Sequence, residues 1–308
     1  MRILNVETPG RYDCLYVSAH AHDAALSNAG RILGDSRRGL RILLVTLFDE
    51  GEGVRTVDAL PVDHLLLGLP AAPRRSPAHR SFRSVLYGRE EADDALLPQL
   101  AARLDEIGNR TRARHVFVPL AVGGHIDHRL AHEAALRVFH GGAERDVFLY
   151  EDRPYAFVPG AVSIRLGQLG AWLPPAALPA ARGAGLLRFL FRYHFSPQTR
   201  THLKGLRERL RCTSLAAGQW REARAWRPQK ALGLRLQPVV QAVEAGDVVS
   251  AATACPAGLA ALCGSDAGFG HLAADYSRRL GATGHAERYW LMLPQRDDIL
   301  IAPLAAAN

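Results

Sequence analysis

His20-Ala21-His22-Asp23 and, about a hundred residues later, His125-Ile126-Asp127-His128 each place imidazole and carboxylate side by side. The first cluster follows directly on the apolar run Asp13-Cys14-Leu15-Tyr16-Val17-Ser18, and the second follows His115-Val116-Phe117-Val118-Pro119, so both read as lying at the carboxyl end of a strand. In an open α/β sheet the loops at the carboxyl ends of adjacent strands converge on one crevice, which lets groups distant in sequence share one ion. Histidine nitrogens and carboxylate oxygens suit Zn2+ or another borderline divalent metal, and a set of three protein ligands leaves a position open for water. That combination is the pattern of a hydrolytic metal site. Either cluster alone has an ordinary structural reading, because histidine caps, packs and titrates as readily as it ligates. Two clusters at matching topological positions favour the metal.

The chain that must position these groups has 308 residues, 48% of them hydrophobic and 22% charged, enough for one large α/β domain or a core with a helical extension. Residues 1–7 form no apolar h-region, and no run approaches the roughly eighteen apolar residues that span a bilayer. A cytoplasmic protein with no membrane span is therefore expected. Cys14, Cys212, Cys255 and Cys263 are widely spaced and form no Cys-x-x-Cys, which argues against a disulfide framework or a thiolate zinc ribbon. The formal charge of +8 rests mainly on arginines spread through Ala- and Gly-rich sequence, densest in 188–211. This reads as a solvated helix face, and no nucleic-acid partner is expected.

Strands and helices alternate through the first half. After the strand near 14–18, the spacing of Ala25, Leu26, Ala29 and Leu33 predicts a helix over 24–33 that Gly34 can end. The continuous apolar run 41–47 reads as a buried strand. Residues 49–90 show no sustained period and read as loops and short turns over the sheet, with Asp49, Glu50 and Glu52 near the crevice. A helix is predicted from Asp94, as N-cap, to a stop at Gly108. It leads to a strand at 115–119, a tight bend at Gly123-Gly124, a helix over 127–139 with His128 in its first turn, and a fourth strand at 147–150. Beyond Ala156 the alternation fades. A Pro- and Ala-rich connection over 173–185 is followed by helical pieces around 202–210, 228–243 and 273–280. No P-loop or Gly-x-Gly-x-x-Gly follows a strand, so a nucleotide cofactor has little support. The expected fold class is α/β, a Rossmann-like, mostly parallel sheet flanked by helices. Its organisation is a metal-site core over 1–157 and a mostly helical portion over 158–308 packed on it as one structural domain.

These motifs resemble those of the LmbE-like, or PIG-L, family of zinc-dependent N-deacetylases, whose usual forms are His-Pro-Asp-Asp-Glu near the first strand and a later His-x-Asp-His. The continuation Ala25-Leu26-Ser27 and the segment Tyr150-Glu151-Asp152-Arg153-Pro154-Tyr155-Ala156 look most like the branch that includes glycopeptide-antibiotic sugar deacetylases. The resemblance is clear over 13–157, with weaker echoes at Gln229-Lys230-Ala231-Leu232 and Glu287-Arg288-Tyr289-Trp290.

By that resemblance His20, Asp23 and His128 fall on the metal ligands, His125 on the residue that stabilises the oxyanion, and Asp127 on its carboxylate neighbour. The implied cofactor is Zn2+, with Fe2+ also admitted by a set of two histidines and one carboxylate. The implied activity is removal of an acyl group from an amino sugar or a sugar-bearing specialised metabolite. A protonated His125 held by Asp127 would stabilise the oxyanion and then protonate the amine. Arg74, Asp152 and Tyr155 are candidate substrate contacts, as are Trp172 and Trp226 for stacking on a sugar. The insertion segment Pro70-Ala71-Ala72-Pro73-Arg74 lacks the family's usual carboxylate.

One departure matters most: the family's general base, an aspartate, is His22 here. A neutral imidazole, with an ordinary pKa of about 6.5, can accept a proton near pH 7. The same ring can instead turn to the ion as a fourth ligand. That would leave the scaffold with altered chemistry, such as another C–N cleavage or a condensation, or as a non-catalytic binding module. Metallo-β-lactamase and amidohydrolase folds also use His-x-His. The first needs His-x-His-x-Asp-His, and the second an eightfold βα repeat that this chain does not show.

Overall fold

Short apolar segments that do not alternate with polar ones need cover on both faces, and the chain supplies it. The computed structural model describes residues 2–3, 10–49, 60–140, 144–158, 160–174, 206–207, 210, 213–214, 217–218, 233–253 and 266–294. The two-residue β1 (Arg2–Ile3) edges a sheet whose longer parallel strands are β2 (Cys14–Ser18), β3 (Ile42–Asp49), β4 (Asp63–Pro70), β5 (His115–Pro119) and β6 (Asp146–Tyr150). The spatial order is β1-β4-β3-β2-β5-β6-β8-β7. Here β7 (Leu236–Val243) pairs antiparallel with β8 (His285–Met292), which runs antiparallel to β6. The protein is thus α/β with a mostly parallel sheet, as the alternation predicts.

Successive residues of each strand enter opposite layers, as the two-residue strand period requires. Leu15, Val17, Leu43, Val45 and Val116 pack with α4 (Glu91–Thr111) and α5 (Ile126–Phe139) through Leu100, Leu104, Ile107, Leu130 and Phe139. Cys14, Tyr16, Ile42, Leu44 and Phe117 pack with α1 (Ala21–Arg37) through Ala25, Ala29 and Ile32. The short α2 (Ala72–Arg75) and α3 (Phe82–Tyr87) follow β4, and α6 (Ala161–Gln168) follows β6. Near the C-terminus, α7 (Ala245–Thr253) and α8 (Asp266–Arg279) lie on the α1 side, where Phe157, Phe269 and Tyr276 cluster with Leu26 and Val248. No described helix is long and apolar enough to cross a membrane. From β2 the chain winds to β3 and β4 on one side and then returns to β5 and β6 on the other. The crevice between the carboxyl ends of β2 and β5 is therefore the sheet's topological switch point.

Several boundaries differ from the periodicity reading. Residues 49–90 contain a full strand, β4, whose run Leu65-Leu66-Leu67 is masked in sequence by Gly68 and Pro70 and is recovered by pairing with β3. Helix α1 runs through Gly34 to Arg37, and α4 begins at Glu91 and runs through Gly108 to Thr111. Gly108 marks close packing, since a Cβ there would fall 2.7 Å from Phe139 Cε1. Of the helical piece expected over 228–243, residues from Leu236 onward are strand β7. Its Pro238 is tolerated because β7 is the sheet's edge. Most of 173–185, 188–211 and 202–210 lies outside the described residues.

The β7–β8 pair is seated on α1 by a close approach. Glu287 accepts the mid-helix N–H groups of Gly30 and Arg31 at 2.9 and 3.0 Å, and Val243 lies against Gly30, where a Cβ would fall 2.4 Å from Val243 Cβ. Gly30→Ala is therefore expected to destabilise the fold by about 1–3 kcal/mol through overpacking, enough to outweigh the helix-forming advantage of alanine. Urea denaturation should show part of that loss recovered when Val243→Ala is added.

Candidate metal centre

β2 ends at Ser18, whose hydroxyl donates to the His20 carbonyl at 2.7 Å, and His20 is the N-cap of α1. Asp23, in the first turn, takes the His20 N–H on Oδ2 at 2.8 Å, a position where the positive end of the helix favours a carboxylate. On the other strand, β5 leads into a loop in which Gly123 and Gly124 adopt φ of 86° and 79°, left-handed values that glycine accepts without cost. That bend delivers His125 as the N-cap of α5, with Asp127 and His128 in the first turn.

The two turns meet. His20 and His128 ring centroids lie 5.4 Å apart, His20 and His125 5.2 Å, and His125 and His128 5.2 Å. His20 Nε2 lies 3.0 Å from Asp127 Oδ2. An ionised carboxylate only accepts, so that nitrogen carries a proton; Nδ1 stands 3.4 Å from Asp23 Oδ2. His128 is arranged in the opposite sense: Nδ1 donates to Asp152 Oδ1 at 2.7 Å and Nε2 stands 3.2 Å from Asp23 Oδ2; burial opposes its protonation, but the Asp23 and Asp152 carboxylates outweigh burial and raise its pKa. Each imidazole thus has a carboxylate behind it that orients the ring, an arrangement typical of metal-ligating histidines.

Ligands 2.0–2.1 Å from a tetrahedral zinc ion stand roughly 3.3–3.4 Å from one another. Asp23 has that relation to His20 and His128, and also to His22, whose Nε2 lies 3.3 Å from Asp23 Oδ1. The donor atoms of His20, His22 and Asp23 lie within 4.8 Å of one another, as do those of His20, His125 and Asp127. The second group is already committed. Asp127 Oδ2 also takes the Ala72 N–H at 2.9 Å, and Oδ1 takes Arg75 Nη1 at 2.8 Å, so a guanidinium occupies the place of a cation. Around Asp23 the donors that close on one another are those of His20 and His22, with His128 Nε2 3.2 Å from the same carboxylate but outside that group; this set fits a divalent metal, whereas Asp127 is already neutralised.

Electrostatics prepare the same side. Burial opposes ionisation of Asp23, but the imidazoles of His128, His22 and His20 outweigh it and hold the carboxyl well below its usual range. For Asp127, burial is likewise outweighed, by the His20 hydrogen bond and by His125 and Arg75. His125, partly exposed, is pushed well below the ordinary histidine range by desolvation, which the nearby Asp127 only partly offsets.

The sequence expectations fare differently from residue to residue. His20, His22, Asp23, His125, Asp127 and His128 are brought together at one end of the sheet. His125 is not held by the Asp127 carboxylate: its Nδ1 accepts the Asp127 backbone N–H at 3.1 Å. The ring is therefore the neutral tautomer with its proton on Nε2, not an imidazolium. Asp152, expected to meet substrate, is fully buried with both oxygens taken by His128 and by the Val122 N–H, the latter at 2.8 Å. Tyr155 flanks the centre edge-on to His128, ring centroids 5.9 Å apart. Arg74 lies on the exposed side of α2. Trp172 bridges to Arg235 away from the cluster, and Trp226, Glu50 and Glu52 lie outside the described residues. Sequence reasoning missed Arg75, one position beyond Arg74, along with Asp93 and His79. Nothing in their spacing marks them, because three different elements bring them together.

No protein-family model and no curated protein matches the chain. Among solved structures, a deacetylase in the biosynthesis pathway of teicoplanin is similar at a TM-score of 0.59 and 16% identity, over 92% of this chain and 99% of that one. A zinc-inhibited form of teicoplanin deacetylase gives a TM-score of 0.56 at 17% identity, over 92% and 99%. The deacetylase of the antimicrobial A40926 pseudoaglycone gives 0.55 at 15% identity, over 93% and 99%. The chain shares the fold of these deacetylases, which upholds at the level of fold the LmbE-like resemblance carried by the motifs.

The donor geometry leads to one expectation. The purified, tag-free protein should take up about one equivalent of zinc or iron by plasma mass spectrometry, and His128→Ala should lose it.

Proposed function

We propose that this protein is a metal-dependent amide hydrolase, an N-deacetylase acting on an acylated amino sugar or a sugar-bearing specialised metabolite. The observation that carries the reading is the convergence of His20 Nδ1 and His128 Nε2 on Asp23, each ring set by a buried carboxylate behind it, in a fold shared with glycopeptide deacetylases. His20, Asp23 and His128 would hold the ion, zinc or ferrous iron. When bound, such an ion polarises an acyl oxygen and acidifies water.

The remaining roles belong to the chain's own side chains. His22, beside Asp23, accepts the proton that water gives up as it attacks the amide carbon. His125 keeps its Nδ1 occupied by the Asp127 N–H and so presents Nε2–H to the oxygen that gains charge at the tetrahedral stage. Because that ring is neutral, the proton that the departing amine needs comes back from His22. Tyr155, edge-on to His128, and Arg74, exposed on α2, would be the contacts to a sugar ring and a substrate hydroxyl.

A second reading rests on one distance. His22 Nε2 stands as close to Asp23 as the two ligand nitrogens do, so His22 can complete a four-ligand set, leaving altered chemistry or a binding module. His22→Asp separates the two: higher amide hydrolysis marks His22 as a closing ligand, and lost native turnover marks it as the working base.

The deciding assay measures release of acetate and free amine from N-acetylated amino sugars and acylated glycopeptides by the metal-loaded protein. Turnover should fall on the order of a hundredfold or more in kcat in His125→Ala, with metal content unchanged. A fully loaded wild type that hydrolyses none of the panel would sink the deacetylase reading.

A further inference from the structure

A single guanidinium joins the candidate centre to the segment that crosses above it. Arg75 donates through Nη1 to Asp127 Oδ1 at 2.8 Å and to the Pro70 carbonyl at 3.0 Å, and through Nε and Nη2 to Asp93 Oδ1 at 3.0 and 2.8 Å. Its plane lies over Phe48, 5.1 Å from the ring centroid. Asp93 is fastened in turn: its Oδ2 accepts the Glu90 N–H at 2.9 Å and His79 Nε2 at 2.8 Å. Asp93, Asp127 and His79 are each wholly buried, and the Arg75 side chain is only 8% exposed. An unpaired carboxylate at such depth is costly, so two buried aspartates from α4 and α5 depend on one cation.

We propose that Arg75 is a positioning residue for the metal centre. It holds Asp127 in the orientation that meets His20 Nε2 and so fixes the plane of that ring, and Asp93 with His79 holds Arg75. The inference deepens the metal reading above and rests on it for its consequence, though the hydrogen bond between Asp127 and His20 Nε2 is a property of the protein without metal. Three features carry it. Asp127 has no oxygen left over, because Oδ1 belongs to Arg75 and Oδ2 is shared by His20 and the Ala72 N–H. The guanidinium is a three-point fork, which an ammonium cannot reproduce. And the carboxylate behind a ligating histidine sets both its ring orientation and its basicity.

The experiment compares wild type, Arg75→Met, Arg75→Lys and Asp93→Asn, with exposed Arg80→Met as control. The first readout is the zinc dissociation constant by chelator competition, and the second is the 15N shift pattern of His20 in the metal-free protein. Loss of the carboxylate support should weaken zinc binding about 10- to 100-fold in Arg75→Met. It should also move the His20 Nε2 signal away from that of an N–H held by a carboxylate, with Arg75→Lys intermediate and Arg80→Met unchanged. A brace that serves folding alone would lower the melting temperature while leaving both readouts at wild-type values in the folded variant, and that result overturns the proposal. Should Arg75→Met not fold, Asp93→Asn decides: it loosens Arg75 but leaves Asp127 charged, and an unchanged His20 spectrum there overturns the proposal equally. If wild type binds no zinc, the metal reading fails, and the His20 spectrum still decides the role of Arg75.

Discussion

Buried carboxylates without water must find cations or donors close at hand, and the cluster at the end of the sheet is organised around that requirement. Asp23, Asp127 and Asp152 are all buried. Each is compensated by an imidazole, with Arg75 added for Asp127 and backbone N–H groups added for all three. His20 and His128 are thereby locked from behind, and their remaining ring nitrogens stand 3.4 and 3.2 Å from Asp23 Oδ2. Removing either supporting carboxylate would let a ring turn, which makes the layer behind the donors as important to the centre as the donors themselves.

The sheet makes that layer possible. At the switch point, β2 and β5 lie side by side, and the helices that follow them leave the same crevice on opposite faces. Asp152 arrives from the next strand, β6, and reaches across to the Val122 N–H of the loop after β5. That loop also contains Ala121 at φ 62°, an unfavourable value for a residue with a side chain, held by its neighbours. The strand beyond, β8, anchors the segment after β6: Arg288 and Trp290 donate to Glu151 at 2.6 and 2.9 Å, and Tyr276 from α8 bonds to the same carboxylate. The C-terminal part of the chain thus supports the position of Asp152 from a distance.

His22 changes the charge of this arrangement. An aspartate there would put a second anion beside Asp23. The imidazole instead adds a third neutral-to-cationic neighbour, consistent with the strong depression of the Asp23 carboxyl. Its Nε2 stands 3.3 Å from Asp23 Oδ1, so the residue type at this position bears on the electrostatics of the cluster.

The two His/Asp clusters, their placement after strands, the βαβ opening and the Gly123-Gly124 bend were legible in the sequence, because strand runs, helix spacing and glycine pairs are local signals. What followed from contacts between distant segments was not. β4 exists as a strand because β3 pairs with it, and β7 because β8 does, while Gly34 and Gly108 lie inside helices whose buried faces continue past them. Asp152 looked like a substrate contact from its strand-end position, and only its burial against His128 gave it another place. Arg75 and Arg74 are indistinguishable as neighbours in a sequence. Tertiary structure chose between them, since α2 turns one toward two buried carboxylates and leaves the other exposed. Residue type by itself determined which groups are able to ligate a metal; the partners behind each ring and the commitment of Asp127 to Arg75 came from packing, because a hydrogen bond depends on distance in space and not on separation along the chain.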